Sequence, residues 1–290
     1  MNRVSMGIES TKEKLASTGQ TFRFGPETIL KLATAATLVV LAAVVIFVVI
    51  GAVRSVLLVD LDLDLILTAV VNSLVIAAGA VVVALPVGLL SALYITELAP
   101  SKPAKMFWTT IKVLSAVPSV VIGFIGLVWL GYYESSQGTS PLRLYPAASL
   151  LLALMVYPSL ASFLIEHFRR ISPSLRASSY ALGASRWQTI VYTVYPAARS
   201  SIAAAGFFGL GRTMGDTAIV LMLWQAAARS SLTASQDHRL FTVPTAIVMG
   251  AELGWHHSEL FPMAMLIMIL SLAISSLGRR FMQSHWRVQE

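Results

Sequence analysis

Cysteine is absent from this chain, which excludes disulfide staples and thiolate metal sites. Charge is scarce as well. Only 12% of the residues are charged, against roughly 25% in an ordinary soluble domain. There is no HExxH spacing, and of five histidines only His256 and His257 adjoin. That pair reads as polar loop histidines rather than as a metal site. No Gly-x-x-x-x-Gly-Lys-Ser/Thr loop occurs, so the chain cannot cradle ATP phosphates by that route, and the residues imply no cofactor. Neither an internal repeat nor a low-complexity tract is found.

What fills the chain instead is apolar. Hydrophobic residues make up 56% of the sequence and the mean hydropathy is positive. Long stretches free of charge are rewarded only by a lipid solvent. A spanning helix needs about 20 mostly apolar residues, because the hydrocarbon core is about 30 Å thick and each residue rises about 1.5 Å. Six runs meet that need: Leu32 to Val53, Thr68 to Ile95, Ile111 to Leu130, Pro146 to Phe168, Ala197 to Ala227 (interrupted by Arg212 and Asp216), and Leu260 to Leu277. Val243 to Leu253 is too short and reads as a re-entrant or interfacial piece. The expected fold is therefore all-α, a polytopic membrane protein with about six transmembrane helices.

The basic residues test this assignment. The net charge of +7 is scattered between the apolar runs, as an insertion signal is. With the N-terminus in the cytoplasm, cytoplasmic segments hold Arg3, Lys12, Lys14, Arg23, Lys31, Lys102, Lys105, Lys112, Arg169, Arg170, Arg176, Arg186, Arg199, Arg279, Arg280 and Arg287, which is 16 of the 21 basic residues. Outer segments hold Arg54, Arg143, Arg229 and Arg239, and the first outer loop carries Asp60, Asp62 and Asp64. Six spans with both termini inside satisfy the positive-inside rule. About 30 polar residues precede the first run, which is too long for the core of a signal peptide and is expected to be retained. Three segments follow: a cytoplasmic segment 1–29 with little to bury, a transmembrane domain 30–282 with a cytoplasmic loop at 169–196, and a tail 283–290.

The loop from Arg169 to Pro196 contains a helix-like stretch with Leu175, Ser179, Leu182 and Trp187 at mixed three- and four-residue spacing. Small residues around an exposed Trp make a docking knob for a partner protein. The alternative is an interfacial helix lying on lipid headgroups. The loop resembles the coupling loop of importer-type ABC permeases, in which a Glu-Ala-Ala triplet is followed by a spaced Gly and Pro. Here Gly183 and Pro196 hold the spaced positions, and Leu182 to Ser185 also fit. The triplet departs, reading Ala177-Ser178-Ser179 without the Glu, and the ending reads Thr193-Val194-Tyr195-Pro196. By this resemblance the ATPase-coupling residues are Arg176, Ser178, Ser179, Leu182, Gly183, Ala184, Ser185, Arg186 and Trp187.

Arg212 and Asp216 stand inside the fifth run, in Gly-Leu-Gly-Arg-Thr-Met-Gly-Asp-Thr-Ala. At i, i+4 on a continuous helix both would share one face. A charge at the bilayer centre costs about 3 kcal/mol on insertion scales. Two readings meet that cost. One is an anion path, with the Arg212 guanidinium offered to oxyanion oxygens and Gly209, Gly211 and Gly215 allowing close packing. The other is a buried structural ion pair. Pro118 likewise either kinks the third span so that Ser119 lines a path, or is an ordinary tolerated membrane proline.

The fifth run is similar to the Arg-x-x-Gly-Glu-Thr signature of phosphate-specific ABC permeases, matched here by Arg212, Gly215 and Thr217, with Asp216 in place of Glu. Ala84 to Gly88 with Ala92 to Glu97 in the second span, and Val117 to Phe124 in the third, resemble further runs of that family. The resemblance covers about residues 68 to 225. It implies a type I ABC importer permease fold and a translocation path through Arg212, Thr213, Asp216, Thr217 and Ser119. It implies as partners a second permease subunit, a pair of ATP-binding subunits, a periplasmic phosphate-binding protein and membrane lipid, with phosphate as the transported substrate. The implied location is the bacterial inner membrane. Rival expectations are a permease for sulfate, molybdate or tungstate, an ion-coupled carrier acting alone, and a membrane hydrolase. The last lacks material, since no span holds Cys, and His167 alone stands at a span's edge.

Overall fold

A computed structural model describes residues 26–58, 62–137, 141–230, 241–252, 254 and 257–286. The N-terminal 25 residues, Asp60, Arg239, His256 and the last four residues lie outside them, with the expectations placed there. Among the described residues the chain is helical with no strand: α1 Pro26–Leu58, α2 Leu63–Leu93, a π turn Tyr94–Leu98, α3 Ser101–Leu114, α4 Ser119–Gln137, α5 Pro141–Arg170, α6 Pro173–Ala181, α7 Arg186–Thr189, a second π turn Ile190–Val194, α8 Tyr195–Ala197, α9 Arg199–Met214, α10 Ala218–Ser230, α11 Val243–Glu252 and α12 His257–Trp286. The chain divides into two units, 1–50 and 51–290. The described part of the first is most of α1. There Thr34 and Thr37 donate their hydroxyls to the carbonyls of Leu30 and Ala33 at 2.8 and 2.9 Å, so neither hydroxyl is stranded on an apolar helix.

Among the described residues four stretches are long and apolar enough to cross a membrane: Glu27–Leu57, Leu63–Leu98, Leu144–Arg170 and Leu260–Met282. They coincide with the first, second, fourth and sixth runs. The other two runs are broken. α3 and the start of α4 meet at 79° across Ser115–Pro118. Pro118 cannot continue a helix, and α4 begins immediately after it. α3 is amphipathic, with Ile111 and Ala104 against the core and Lys102, Lys105 and Lys112 outside. The fifth run divides into α9 and α10 at Gly215–Thr217.

The second unit is organised around α2 and α5. The α2 face bearing Ala80, Ala84 and Gly88 is small, and Leu152, Val156, Leu160 and Ala161 of α5 fill it. In a bilayer, where lipid is as apolar as the core, such packing must come from close contact. α2 also packs on α9 and α11, and α9 packs on α12. The short helix α11 is tied to α2 by buried polar groups. Asn72 donates through Nδ2 to the Phe241 carbonyl at 3.0 Å, and the Val243 N–H donates to Ser73 Oγ at 2.9 Å. Tyr145 of α5 donates its hydroxyl to Asn72 Oδ1 at 2.6 Å. Non-helical backbone at this depth is tolerable because protein groups satisfy it.

Candidate functional site

Two places carry the residues singled out from the sequence. The first is a helical hairpin after α5. Ser172 starts α6 by accepting the Ser174 N–H at 3.3 Å, with Pro173 in the first helical position. The helix ends at Gly183, whose φ of +84° places it in the left-handed region. Its N–H donates to the Tyr180 carbonyl at 2.9 Å. Two residues later Ser185 starts α7 with a capping box: Ser185 Oγ accepts the Gln188 N–H at 3.3 Å, and Gln188 Oε1 accepts the Ser185 N–H at 2.8 Å. Hydroxyls lock the two arms together, Ser179 Oγ lying 3.0 Å from Thr189 Oγ1 and accepting from Thr193 Oγ1 at 3.3 Å.

This construction leaves a projecting tip. Leu182 is 89% exposed and Trp187 67%, and Gly183, Ser185 and Arg186 are exposed beside them, with Ala184 half-buried and Ser178 exposed one turn back. Two residues of the expected set face elsewhere. Ser179 belongs to the lock between the arms. Arg176 points into the base of the hairpin, where its guanidinium meets the Glu97 carboxylate with Nε to Oε2 at 3.1 Å and Nη2 to Oε1 at 2.7 Å. Its remaining donors reach the Phe168 and Ile171 carbonyls at 3.0 and 2.7 Å. Sequence reasoning noted Glu97 only as part of a family run and missed its partner, 79 positions away. Gln188 and Thr189 were missed too, and Thr193 was read only as part of the loop's ending, although the Ser185-x-x-Gln188 spacing is a legible capping signature.

The second place is the break in the fifth run. The expectation of one helix face shared by Arg212 and Asp216 is corrected here. α9 stops at Met214, Gly215 closes it, and Asp216 begins the next helix by accepting the Ile219 N–H at 3.1 Å on Oδ1. Asp216 thus serves as a cap, a use that competes with a local ion pair. Among the described residues Arg212 has no ion-pair partner, and it lies exposed on the flank of α9. Thr213 is buried and returns its hydroxyl to the Gly209 carbonyl at 2.9 Å. Asp216 and Thr217 are half-buried, and Asp216 shares a narrow crevice with Ser73, Thr213 and Thr242.

Ser119 begins α4, which packs on α10. A Cβ on Gly123 would meet Ile219 and Met222, and one on Gly126 would meet Leu223, so α4 and α10 run parallel in register. Of the three glycines expected to allow close approach, Gly209 does, since a Cβ there would lie 3.1 Å from Leu160 and Val81 side chains, whereas Gly215 meets only carbonyls of its own turn. The break thus carries, along one stretch of chain, the exposed Arg212, the buried Thr213 and the half-buried Asp216 and Thr217.

Comparison with known proteins adds a second line. Residues 84–285 match the family described as the binding-protein-dependent transport system inner membrane component. A probable ABC transporter permease of Bacillus subtilis, YqgH, is 37% identical over 145 residues, which is 49% of this chain and 46% of that protein. The phosphate transport system permease protein PstC of Mycobacterium leprae is 31% identical over 188 residues, covering 58% of this chain and 57% of its own. PstC of Xylella fastidiosa is 28% identical over 233 residues, 73% and 72% of the two chains. The match spans about half the length of the first two relatives. Among solved structures, a bacterial ABC transporter that imports the acidic polysaccharide alginate superposes with a TM-score of 0.59 at 17% identity, over 77% of this chain and 80% of that one. The MetNI methionine ABC transporter superposes at 0.57 and 19% identity, over 77% and 97%. At such identities the likeness concerns the fold, which is that of ABC importer permeases.

Proposed function

Because this chain belongs to the family of binding-protein-dependent transport system inner membrane components, we propose that it is the membrane-spanning permease subunit of an ATP-driven importer of inorganic phosphate. In this reading the chain is a transport component with no catalytic role, and ATP hydrolysis belongs to separate subunits. The observation that carries the anion is Arg212, a cation without an ion-pair partner among the described residues, exposed beside a helix break inside an apolar run. A guanidinium is permanently charged and its planar fork matches phosphate oxygens. An intramembrane charge left open on a surface of the subunit is functional by default. The relatives named as phosphate transport permeases support the choice of phosphate.

The path runs past Arg212, Thr213, Asp216, Thr217 and Ser119. One chain of this size encloses little space, so the path lies between two permease subunits, and the exposed flank with Arg212 faces the second. The hairpin tip around Leu182, Gly183 and Trp187 docks on an ATP-binding subunit, with Arg186 and Ser185 at its margin. A periplasmic binding protein delivers phosphate from the outer side, and both termini lie in the cytoplasm of a bacterial inner membrane. Closure of the ATPases pushes the hairpin and turns the path from outward to inward access.

Proteoliposomes holding the chain with its co-purified partners and binding protein test this reading. Labelled phosphate uptake should require internal ATP and persist under excess sulfate. Uptake without ATP would point to a carrier acting alone, and inhibition by sulfate would retain the ATP-driven importer and change its anion.

A further inference from the structure

The hairpin joins the bundle twice: by a two-residue link, Ile171 and Ser172, between α5 and α6, and by its second arm, which runs through the second π turn and α8 into α9 with Ile190, Val194 and Ala198 buried. The first arm is fixed to α2 by Arg176. Its fork meets both oxygens of Glu97, and two further bonds reach the carbonyl of Phe168 in the last turn of α5 and that of Ile171 in the link. The ion pair is largely removed from water, the Glu97 side chain being 6% exposed and that of Arg176 19%. A bidentate fork adds a fixed plane and direction to the attraction, which a lysine cannot supply.

Glu97 in turn sits on the π turn Tyr94–Leu98 that ends α2. π turns are rare and cluster where function requires a local change of helix. This one packs on α3, Tyr94 meeting Phe107 edge to face at 5.6 Å, and on α5. α2 is the helix that packs on α5, α9 and α11, and α9 bears Arg212. A displacement of the hairpin held rigidly to Glu97 therefore moves α2 together with α9, which the second arm reaches along the chain.

We propose that the Glu97–Arg176 pair is the joint that passes movement of the hairpin to α2, making both residues positioning residues for coupled transport. This rests on the reading of the chain as an ATP-driven permease. Without the joint, the hairpin still docks and ATP is still hydrolysed, while α2 no longer follows. The expected signature is uncoupling rather than loss of the complex.

The test has two arms on the full complex in proteoliposomes. In the first, Glu97→Gln and Arg176→Lys are compared with wild type for phosphate moved per ATP hydrolysed, normalised to assembled complex. The ratio should fall about fivefold or more while hydrolysis persists. In the second, spin labels are placed at Leu90→Cys on α2 and Tyr180→Cys on α6, both exposed positions in a cysteine-free chain. The distance distribution should be narrow and the same with and without ATP, and should broaden when Glu97→Gln is added. An unchanged distribution overturns the joint, as does an unchanged ratio in either variant of a complex that couples as wild type. A wild-type complex that moves no phosphate refutes the proposed function, and the distance arm then decides the joint alone.

Discussion

Gly123 of α4 lies against Ile219 of α10 so closely that a Cβ on Gly123 would stand 3.1 Å from the Ile219 Cα and 3.3 Å from the Ala218 carbonyl. Both neighbours are backbone, so neither can rotate away. Gly123→Val must separate the two helices at the level just above the break, and overpacking of this kind costs about 1–3 kcal/mol. Gly206 of α9 provides the contrast, since a Cβ there meets only Leu85 Cδ2 at 3.6 Å, an ordinary contact. Gly206→Ala should be neutral or slightly stabilising, a helical glycine costing about 0.5–1 kcal/mol relative to alanine. Thermal unfolding of the purified complex in detergent should rank Gly123→Val well below wild type and Gly206→Ala at or above it. Equal melting temperatures for the two variants would refute the backbone contact.

Four spans were legible as apolar runs because hydropathy measures the cost of transfer into lipid, and α1, α2, α5 and α12 have little else to satisfy. The breaks were less so. Pro118 announces the bend between α3 and α4, but whether Asp216 pairs with Arg212 or caps α10 depends on whether the helix continues through Gly215, and a spacing of four is the same in both cases. The clasp between Glu97 and Arg176 was illegible for another reason. Its partners are brought together by the α2–α5 packing, and nothing in the neighbourhood of either residue names the other. The hairpin tip was readable, since Gly183 and Ser185 are local stop and start signals.

Gly183 is a conformational requirement rather than a packing one. Its φ is +84° and a Cβ there would meet nothing within 4 Å of this chain. An L-residue in that region costs about 1–2 kcal/mol, with asparagine tolerating it best. Gly183→Asn should keep most phosphate-stimulated ATP hydrolysis, and Gly183→Val should lose most of it, with insertion unaffected in both. Equal losses would assign the effect to bulk against the docked subunit instead of to the backbone.

The proposed orientation rests on the basic residues, and a tag tests it. Arg279 and Arg280 lie near the end of α12, and the positive-inside rule places such residues in the cytoplasm. A C-terminal epitope should resist external protease in intact spheroplasts and become cleavable on lysis. Cleavage before lysis would reverse α12 and every span assigned from it.

Arg212 is the residue on which the anion path is staked. Truncation to alanine removes an exposed side chain at the flank of α9, where no ion pair with a described residue is lost, so stability should change by no more than about 0.5 kcal/mol. A structural ion pair predicts the reverse, because breaking a buried pair costs about 3–5 kcal/mol. Arg212→Ala should therefore insert, assemble and melt like wild type while phosphate uptake is abolished. Arg212→Lys keeps the charge and loses the planar fork, so it should retain weak uptake with a raised KM. Wild-type uptake by Arg212→Ala would remove this residue from the path, and a large drop in melting temperature would return it to a structural role.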